Sequence, residues 1–385
     1  MMGAPIRVAH VMGKMVGGGV EQVVMNYYRH IDRDRVQFDF LVDRDSTDVP
    51  KSEIEKLGGR VFPIPPYQDL YRYSRELHEL FAREQWQIVH SHINTLSVFP
   101  LRVAARAGVP VRIAHSHATM GRGELKRNLM KLALRPFAKR YPTNMAACST
   151  HAGNWLFGKG VSFTVIPNAI ELDRYRFNES ARAEVRSSWG VGSDCCVVGT
   201  VGRMETVKNQ SFLIDAFKCL HDTHPNSILV IAGSGSLRSL LECRARDLGI
   251  ADCVVFPGQV RDVNLLYQGM DVFALPSLYE GFGMALLEAE VSGVPCVVSE
   301  HVPGEAILSE SCKIASLEEG AAAFAAAMWE QCASKIRLQL SPDDCEDYDI
   351  CCAANKLTDY YFELIENKNR SFGADGTPVS NKKIG

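Results

Sequence analysis

The sequence predicts an α/β protein built from two Rossmann-like, doubly wound domains with parallel sheets. Short apolar runs alternate with amphipathic stretches along most of the chain, a pattern typical of parallel strands joined by helices. This alternating series occurs twice, with a polar, charged stretch between the two. The chain has 385 residues, more than the roughly 250–300 at which a single core stops growing, so two domains are expected. In such domains, ligands bind at the carboxyl ends of the strands.

The first series defines an N-terminal domain at 1–175. Its predicted strands are IRVAHVM, FDFLVD, VFPIP, QIVHSH, VRIAHSHA, NMAACS and FTVIPNAI. Between them lie VEQVVMNYYRHI, LYRYSRELHELFAREQ and LSVFPLRVAARAG, whose apolar residues recur at helical spacings of three and four.

The polar stretch is predicted to be a linker at 176–194, and the second series defines a C-terminal domain at 195–345. Its predicted strands are CVVGTVGR, ILVIAGSG, CVVFPG, DVFALPS and PCVVSE, separated by the helices NQSFLIDAFKCL, LRSLLECRARDLG, VNLLYQG and MALLEAEVSG. A closing helix is predicted at 346–367. The polar tail at 368–385, which is rich in Gly and Ser, is predicted to be disordered.

The composition excludes several classes of protein. Apolar residues make up 46% and charged residues 23% of the chain, which excludes a disordered chain, a coiled coil and a collagen-like fibre. No run of about 18 uncharged apolar residues occurs, and the N-terminus reads as a strand rather than a signal peptide. The chain contains 12 cysteines, without zinc-type spacing, and these are expected to be reduced thiols. We therefore expect a cytoplasmic protein.

The charge is distributed unevenly. Up to residue 190 there are 27 Lys and Arg against 18 Asp and Glu, a balance of +9, and the remainder balances at −12, giving the total of −3. This asymmetry suggests that the two domains face different partners, one of them anionic.

The most informative segment is PSLYEGFGMALLEAEVSGVPCVVSE, at 276–300. If a helix begins near Gly283, its first-turn N–H groups can bind phosphate. Glu280 precedes that helix and Glu288 lies inside it, and carboxylates suit hydroxyl-rich ligands because they only accept hydrogen bonds. The candidate binding residues of this segment are Gly281, Phe282, Gly283, Met284 and Glu288.

The sequence resembles the retaining family-four glycosyltransferases of the GT-B fold, the glycosyl transferases group 1 that include bacterial exopolysaccharide and capsule enzymes. The resemblance rests on the Glu–seven residues–Glu spacing, the following GVPCVVS strand, the element GRMETVKN at 202–209 and the loop AGSG at 232–235. It covers about 6–365, is most specific in the second half, and implies that the closing helix returns to the N-terminal domain.

The resemblance also implies roles for individual residues. Arg203 and Lys208 follow a predicted strand, where two cations can neutralise a diphosphate leaving group. Glu280 would hold the transferred sugar without attacking it. The resemblance places Ser234 and Gly235 near the nucleotide and the segment 255–260, ending in Val260, beside its base.

Gly17, Gly18 and Gly19 lie between the first predicted strand and helix, where the backbone can approach a ligand closely. In the family, this loop meets the donor phosphate or the acceptor. The loop is not G-x-G-x-x-G, but Asp43 ends the second strand, so a dinucleotide enzyme stays as a weak alternative.

Two His-Ser-His triplets lie at strand ends, at 90–92 and 115–117. Alternate residues of a strand share a face, so each triplet presents two imidazoles on one side. A zinc site needs three or four convergent ligands, and no Cys or Glu cluster supports one, so we expect no metal. The resemblance implies a functional histidine near the reacting sugar, with His115 as first choice and His117 as second. For His90 and His92, a packing role is the simplest interpretation.

The segment at 122–140 contains seven Lys and Arg and one acid, with Leu125, Leu129, Leu132 and Pro136 along one face. A basic amphipathic helix indicates a membrane surface or an anionic acceptor. The alternative is a helix whose leucines pack on its own domain. No nucleic-acid motif occurs.

The resemblance implies transfer of a hexosyl group, with retention, from a nucleotide sugar to a hydroxyl of a glycan or polyprenyl-linked acceptor. UDP is the expected nucleotide. The resemblance implies no cofactor and no metal, and the basic helix suggests peripheral attachment to the inner face of the cell membrane. Two alternatives stay open: a GT-B epimerase or hydrolase acting on the nucleotide sugar, and a non-catalytic sugar-binding assembly subunit.

Overall fold

The computed structural model describes residues 4–117 and 125–371, with the side chains of 129–370 in the second range. The chain divides into two compact units. Among the described residues, the first unit takes those within 1–119, 129–170 and 347–385, and the second takes those within 120–128 and 171–346.

Each unit is built on one parallel sheet. The first sheet has the order β3-β2-β1-β4-β5-β6-β7 and the second has the order β10-β9-β8-β11-β12-β13. The strands are β1 Ile6–Gly13, β2 Val36–Asp43, β3 Arg60–Ile64, β4 Ile88–Ser91, β5 Val111–Ser116, β6 Asn144–Ala147, β7 Thr164–Val165, β8 Cys196–Val201, β9 Ser227–Ala232, β10 Val254–Gly258, β11 Val272–Leu275, β12 Cys296–Val298 and β13 Lys313–Ile314.

Helices connect the strands, as the alternating pattern predicts. They are α1 Gly19–His30, α2 Lys51–Lys56, α3 Leu70–Glu84, α4 Val98–Arg106, α5 Leu125–Leu134, α6 Thr150–Phe157, α7 Leu172–Tyr175, α8 Glu179–Ser188, α9 Gln210–Thr223, α10 Arg238–Asp247, α11 Val263–Gly269, α12 Met284–Val291, α13 Gly320–Ser334, α14 Pro342–Cys345 and α15 Ile350–Ser371. Short 3₁₀ turns occupy Asn94–Ser97, Arg135–Phe137, Thr206–Lys208, Ala251–Cys253, Gly304–Ala306, Leu317–Glu319 and Glu346–Tyr348.

Local chemistry explains several of these boundaries. Every residue of β2 is buried, as expected for a strand covered on both faces. The side chain of Asp69 accepts a hydrogen bond from the N–H of Arg72 and caps α3, and Asn178 caps α8 in the same way. Such caps satisfy N–H groups that a helix leaves without partners.

The final helix completes the first unit. α15 packs against α1 and β5, and the Ile170 N–H donates to the Tyr348 carbonyl at 3.0 Å just before α15 begins. The helix extends to Ser371, so residues 368–371 of the predicted tail are helical, and 372–385 lie outside the described residues.

The segment at 176–194 is not a linker between the units, as predicted, because it contains α8 and is part of the second unit. α8 packs against α11. Arg182 and Arg186 of α8 form ion pairs with Asp271 at 2.5 and 2.9 Å. Arg186 is only 4% exposed, and its guanidinium also donates to the carbonyls of Gly192 and Cys195.

Two further expectations differ from the structure. Cys196 and Cys332 form a disulfide between β8 and α13, so the expectation that all thiols are reduced is wrong for this pair. The seventh predicted strand, FTVIPNAI, is shorter than expected, because only the two residues of β7, Thr164–Val165, form a strand. Within 4–117 and 125–371, no helix is long and apolar enough to cross a bilayer.

Candidate functional site

The predicted residues of the second unit lie along one edge of its sheet. Strands β10, β9, β8 and β11 are neighbours and parallel, so their carboxyl ends share that edge. Arg203 and Lys208 follow β8, Ser234 follows β9 and Glu280 follows β11. The topology therefore gathers residues that are far apart in sequence.

Lys208 and Glu280 form the centre of this arrangement. The Lys208 ammonium lies 2.6 Å from Glu280 Oε1, and the Ser277 hydroxyl donates to the same oxygen at 2.7 Å. The side chains are 21% and 9% exposed, respectively. An ammonium has three N–H donors, so Lys208 can bind an anionic ligand while it holds Glu280.

Backbone contacts fix the loops that carry this pair. The Leu278 N–H donates to the Val207 carbonyl at 2.8 Å, which joins the loop after β11 to the loop after β8. The Met204 N–H donates to the Ser234 carbonyl at 2.9 Å, which joins the loops after β8 and β9. A Cβ at Gly235 would lie 2.4 Å from the Met204 carbonyl oxygen, so this glycine permits the close approach of the backbones.

Helix α12 begins where the sequence predicts. Gly283 is its N-terminal cap, with a φ of 95°, a conformation that favours glycine. Phe282 is buried, while Met284 is the first residue of the helix. Gly281 lies in the preceding loop. The first turn of α12 therefore begins four residues after Glu280.

Glu288 lies inside α12 with a partner that the sequence does not reveal. The Tyr267 hydroxyl donates to Glu288 Oε2 at 2.7 Å, and Tyr175 also bonds this carboxylate. Removal from water raises the pKa of Glu288 to about 7, against the lowering effect of the two tyrosine bonds. Tyr267 and Tyr175 thus fix the orientation of this carboxylate, and nothing in the sequence around either tyrosine indicates the contact.

The other predicted residues of the second unit are more open. Arg203 forms an ion pair with Glu205 at 2.5 Å, and its side chain is 51% exposed. Ser234 is exposed and Val260 is half-buried. Val260 follows β10 by two residues, at the same edge of the sheet.

In the first unit, the glycine loop is bonded to a residue of its own helix. Glu21 accepts hydrogen bonds from the Val16 and Gly17 N–H groups at 2.9 and 2.7 Å. Gly18 caps α1, which starts at Gly19. The carboxylate thus takes the N–H groups of Gly17 and Gly18, two of the donors that the sequence offers to a ligand.

The structure brings both His-Ser-His triplets together with His10, which sequence reasoning missed. His90 Nε2 lies 3.0 Å from His115 Nδ1, and His92 Nδ1 lies 2.9 Å from His117 Nε2. His10 Nδ1 lies 2.9 Å from His92 Nε2. Strands β1, β4 and β5 are neighbours in the sheet, which is why these side chains meet.

The basic segment at 122–140 includes α5 and a 3₁₀ turn at Arg135–Phe137, and its residues 122–124 lie outside the described part of the chain. Leu129 is 70% exposed and Leu132 is 46% exposed, so these two leucines of the predicted face are not packed in the core. The Arg135 guanidinium lies 5.5 Å from the centre of the Trp155 ring.

Comparison with known families covers both units. Residues 182–337 match the family described as glycosyl transferases group 1. Residues 18–169 match the glycosyl transferase 4-like domain.

Individual relatives extend this likeness. A putative glycosyltransferase of Bacillus subtilis, EpsF, is 34% identical over 305 residues, which cover 77% of this chain and 79% of that protein. The UDP-Gal:alpha-D-GlcNAc-diphosphoundecaprenol alpha-1,3-galactosyltransferase of Escherichia coli is 25% identical over 393 residues, covering 94% of this chain and 98% of the relative. The crystal structure of Anabaena HepE in complex with UDP and glucose aligns with a TM-score of 0.77 and 18% identity, covering 93% of this chain and 99% of that one. The last likeness concerns the fold alone.

Proposed function

The chain belongs to the group 1 glycosyltransferases and shares their GT-B fold, and from this premise we propose a specific reaction. The enzyme transfers a hexosyl group from a UDP-sugar, with retention at the anomeric carbon, to a hydroxyl of a lipid-linked glycan. The product contributes to a cell-surface polysaccharide. The names of the Escherichia coli and Bacillus subtilis relatives support this choice, since the first includes UDP-Gal and a diphosphoundecaprenol-linked sugar.

The observation that carries the proposal is the Lys208–Glu280 pair beside the start of α12. Lys208, with Arg203 from the same loop, neutralises the charge that develops on the departing diphosphate. The N–H groups at Gly283 and Met284 add to this stabilisation, because a helix N-terminus attracts anions.

Glu280 and Glu288 hold hydroxyl groups of the donor. Glu280, oriented by Ser277 and Lys208, accepts hydrogen bonds from the transferred sugar. Glu288, oriented by Tyr267, accepts them from the ribose. Neither carboxylate acts as a nucleophile, and the departing phosphate oxygen takes the acceptor's proton. Ser234, Gly235 and Val260 border the nucleotide.

In the first unit, the loop at 17–19 and one histidine, His115 or His117, face the reacting sugar or the acceptor. His117 is 6% exposed and His115 is 2% exposed, so His117 has the easier access. This favours His117 as the histidine that meets the substrate.

A nucleotide-release screen tests the reaction. UDP-, GDP- and ADP-sugars are each incubated with the protein, with and without a membrane extract as the source of acceptor. We expect UDP release that depends on the extract and persists in excess EDTA, because the cations of the site replace a metal. Release of free UDP without any acceptor would favour the epimerase or hydrolase alternative, and no release with any donor would favour the non-catalytic one.

We also propose that the basic helix holds the enzyme on the anionic inner face of the cell membrane. The exposure of Leu129 and Leu132 supports this, since apolar side chains beside several cations suit a lipid interface. Each Lys or Arg near such a surface contributes about 1 kcal/mol, an attraction that salt screens.

Vesicles containing anionic lipid test this attachment. Wild-type protein should bind them at low salt and dissociate at high salt. A variant with Lys126, Arg127, Lys131 and Arg135 changed to Gln should lose binding. A matched variant with four exposed cations of α2 and α3 changed to Gln, at 51, 56, 72 and 75, should keep it. Equal binding of the two variants would exclude the helix as the attachment site.

A further inference from the structure

Five histidines line one face of the first sheet and are almost completely buried. They are His10 on β1, His90 and His92 at the end of β4, and His115 and His117 at the end of β5; their exposed fractions are 1%, 1%, 5%, 2% and 6%. Neighbouring rings are close, with centroids 4.3 Å apart for His90 and His92 and 3.9 Å apart for His115 and His117. The proposed transfer reaction uses at most one of these imidazoles.

Hydrogen bonds connect the rings in two chains. One chain passes from the Tyr361 hydroxyl through His90 to His115, with separations of 2.8 and 3.0 Å. The other passes from His10 through His92 to His117, with two separations of 2.9 Å.

These chains leave polar atoms without partners. His115 Nε2 and His10 Nε2 are buried and have no hydrogen-bond partner within 4–117 and 125–371. A buried polar atom without a partner is costly and calls for an explanation. A neutral imidazole offers a lone pair on one of its two nitrogens, so an unpartnered ring nitrogen can bind a cation.

We propose that His92, His115 and His117 bind one divalent transition-metal ion of the zinc class. One ring nitrogen from each of these three residues lies within 4.8 Å of the others. Three imidazoles with a fourth position open to water form a common zinc coordination. Imidazole also suits Co²⁺ and Ni²⁺, whereas Mg²⁺ and Ca²⁺ prefer oxygen ligands.

The remaining hydrogen bonds provide the supporting contacts that such a site needs. His92 is bonded to His10 through Nε2, so its Nδ1, which shares a hydrogen bond with His117 Nε2, is the nitrogen that would face an ion. His115 is bonded to His90 through Nδ1, which leaves the unpartnered Nε2. Metal-binding histidines usually donate their second ring N–H to such a partner, which fixes the ring orientation. His92 and His117 would bind the ion through the two nitrogens that share a hydrogen in its absence, and each ring would then carry its single hydrogen on the opposite nitrogen and stay neutral.

A second trio, His10, His90 and His92, also has ring nitrogens within 4.8 Å of one another. We favour the trio of His92, His115 and His117, because His92 and His117 have the greatest access to solvent of the five histidines. His10 and His90 are 1% exposed and are hydrogen-bonded to the proposed ligands His92 and His115. The site shares its histidines with the proposed function, which places His115 or His117 at the reacting sugar or the acceptor, but the cations and glutamates of that reaction are in the second unit. The ion takes no part in transfer, which should continue after chelation.

The full chain, stripped with EDTA and dialysed, can be titrated with Co²⁺ and followed by its visible absorption. We expect one ion per chain, with ligand-field bands but no thiolate-to-cobalt band, so that cysteines are excluded as ligands. His117→Gln should abolish the bands, and His78→Gln, a change at an exposed histidine of α3, should leave them unchanged. His10→Gln should keep the stoichiometry and weaken binding by 10–100-fold, since it changes a supporting contact.

Three results would overturn the proposal: no binding to wild type, bands that survive in His117→Gln, or bands lost only in His10→Gln. Should His117→Gln fail to fold, the X-ray absorption spectrum of zinc-loaded wild type decides the question. A first shell of nitrogen and oxygen with the scattering pattern of imidazole supports the site, and sulfur ligands overturn it. UDP release in the presence of EDTA is measured separately, so that failure of this site and failure of the proposed function are distinguishable.

Discussion

Removing Lys208 should reduce both the stability and the activity of the enzyme, and the two effects can be separated. Lys208→Met keeps much of the side chain's volume but leaves the Glu280 carboxylate, 9% exposed, without its cation. The Ser277 hydroxyl would still donate to this carboxylate. A buried charge that loses its partner is strongly destabilising, because the lost attraction no longer offsets the cost of removing the charge from water.

The size of the effect follows from the burial of the pair. Breaking a buried ion pair costs about 3–5 kcal/mol, and we expect about 3 kcal/mol because Lys208 retains 21% exposure. The double variant Lys208→Met, Glu280→Gln has no unpaired charge and should recover about 2 kcal/mol of this loss. A control, Lys218→Met, breaks the exposed pair with Asp222 and should cost about 0.5 kcal/mol.

Urea denaturation and donor turnover measure these two quantities. Lys208→Met should lose roughly 10²-fold or more in kcat/KM, as expected when a charge that stabilises the leaving group is lost. The double variant should stay equally inactive although its stability is largely restored. If the double variant recovers transfer, Lys208 serves only to neutralise Glu280, and its assignment to the diphosphate is wrong.

Three further predictions concern single residues. Arg203→Ala should lower kcat/KM by roughly 10²-fold with little change in stability. The control Arg244→Ala, at an exposed ion pair with Asp215, should leave transfer unchanged. Equal activity of the two variants would contradict the role of Arg203. Glu288→Ala should raise the donor KM and leave kcat closer to normal, and an unchanged KM would place the ribose contact elsewhere. Burial raises the pKa of Glu290 to about 7, so the folded state favours the protonated carboxyl. The stability that this residue contributes is fully present below its unfolded pKa of about 4.3 and is lost as the pH rises through 7. The free energy of unfolding of wild type relative to Glu290→Gln should therefore fall by about 2–3 kcal/mol between pH 5 and pH 8, and a constant difference would contradict this.

The sequence allowed the second unit to be predicted well, because its signals are local. Strands such as β8 and β11 are continuous apolar runs, and Gly283 marks the start of α12 directly. The edge that carries Arg203, Lys208 and Glu280 follows from the parallel order of the strands. The partners of the glutamates, such as Tyr267, come from another helix and left no local signal.

The errors arise where polar residues are buried or where distant segments meet. α8 was expected to be part of a linker because its sequence is polar, but Arg186 is buried by bonds to Asp271 and to backbone carbonyls. Hydrophobic periodicity cannot detect a helix anchored in this way. Cys196 and Cys332 are 136 residues apart, and spacing along the chain does not reveal their proximity.

The histidines show the same limit. Alternation along a strand predicts that His90 and His92 share a face, and likewise His115 and His117. The addition of His10 depends on β1 being next to β4, which the order of elements in the chain does not state. The two His-Ser-His triplets therefore do not by themselves predict a cluster of five histidines.

The position of α15 in the chain has a consequence for biosynthesis. Tyr361, which bonds His90 across 271 positions of sequence, emerges from the ribosome only after the entire second unit has been made. Domains generally fold as units during synthesis, N-terminal first, but here the surfaces of α1 and β5 that α15 covers stay uncovered until translation is nearly finished. The second unit is thus available to fold while the first is still incomplete, and the final helix closes the first unit as the last step of assembly.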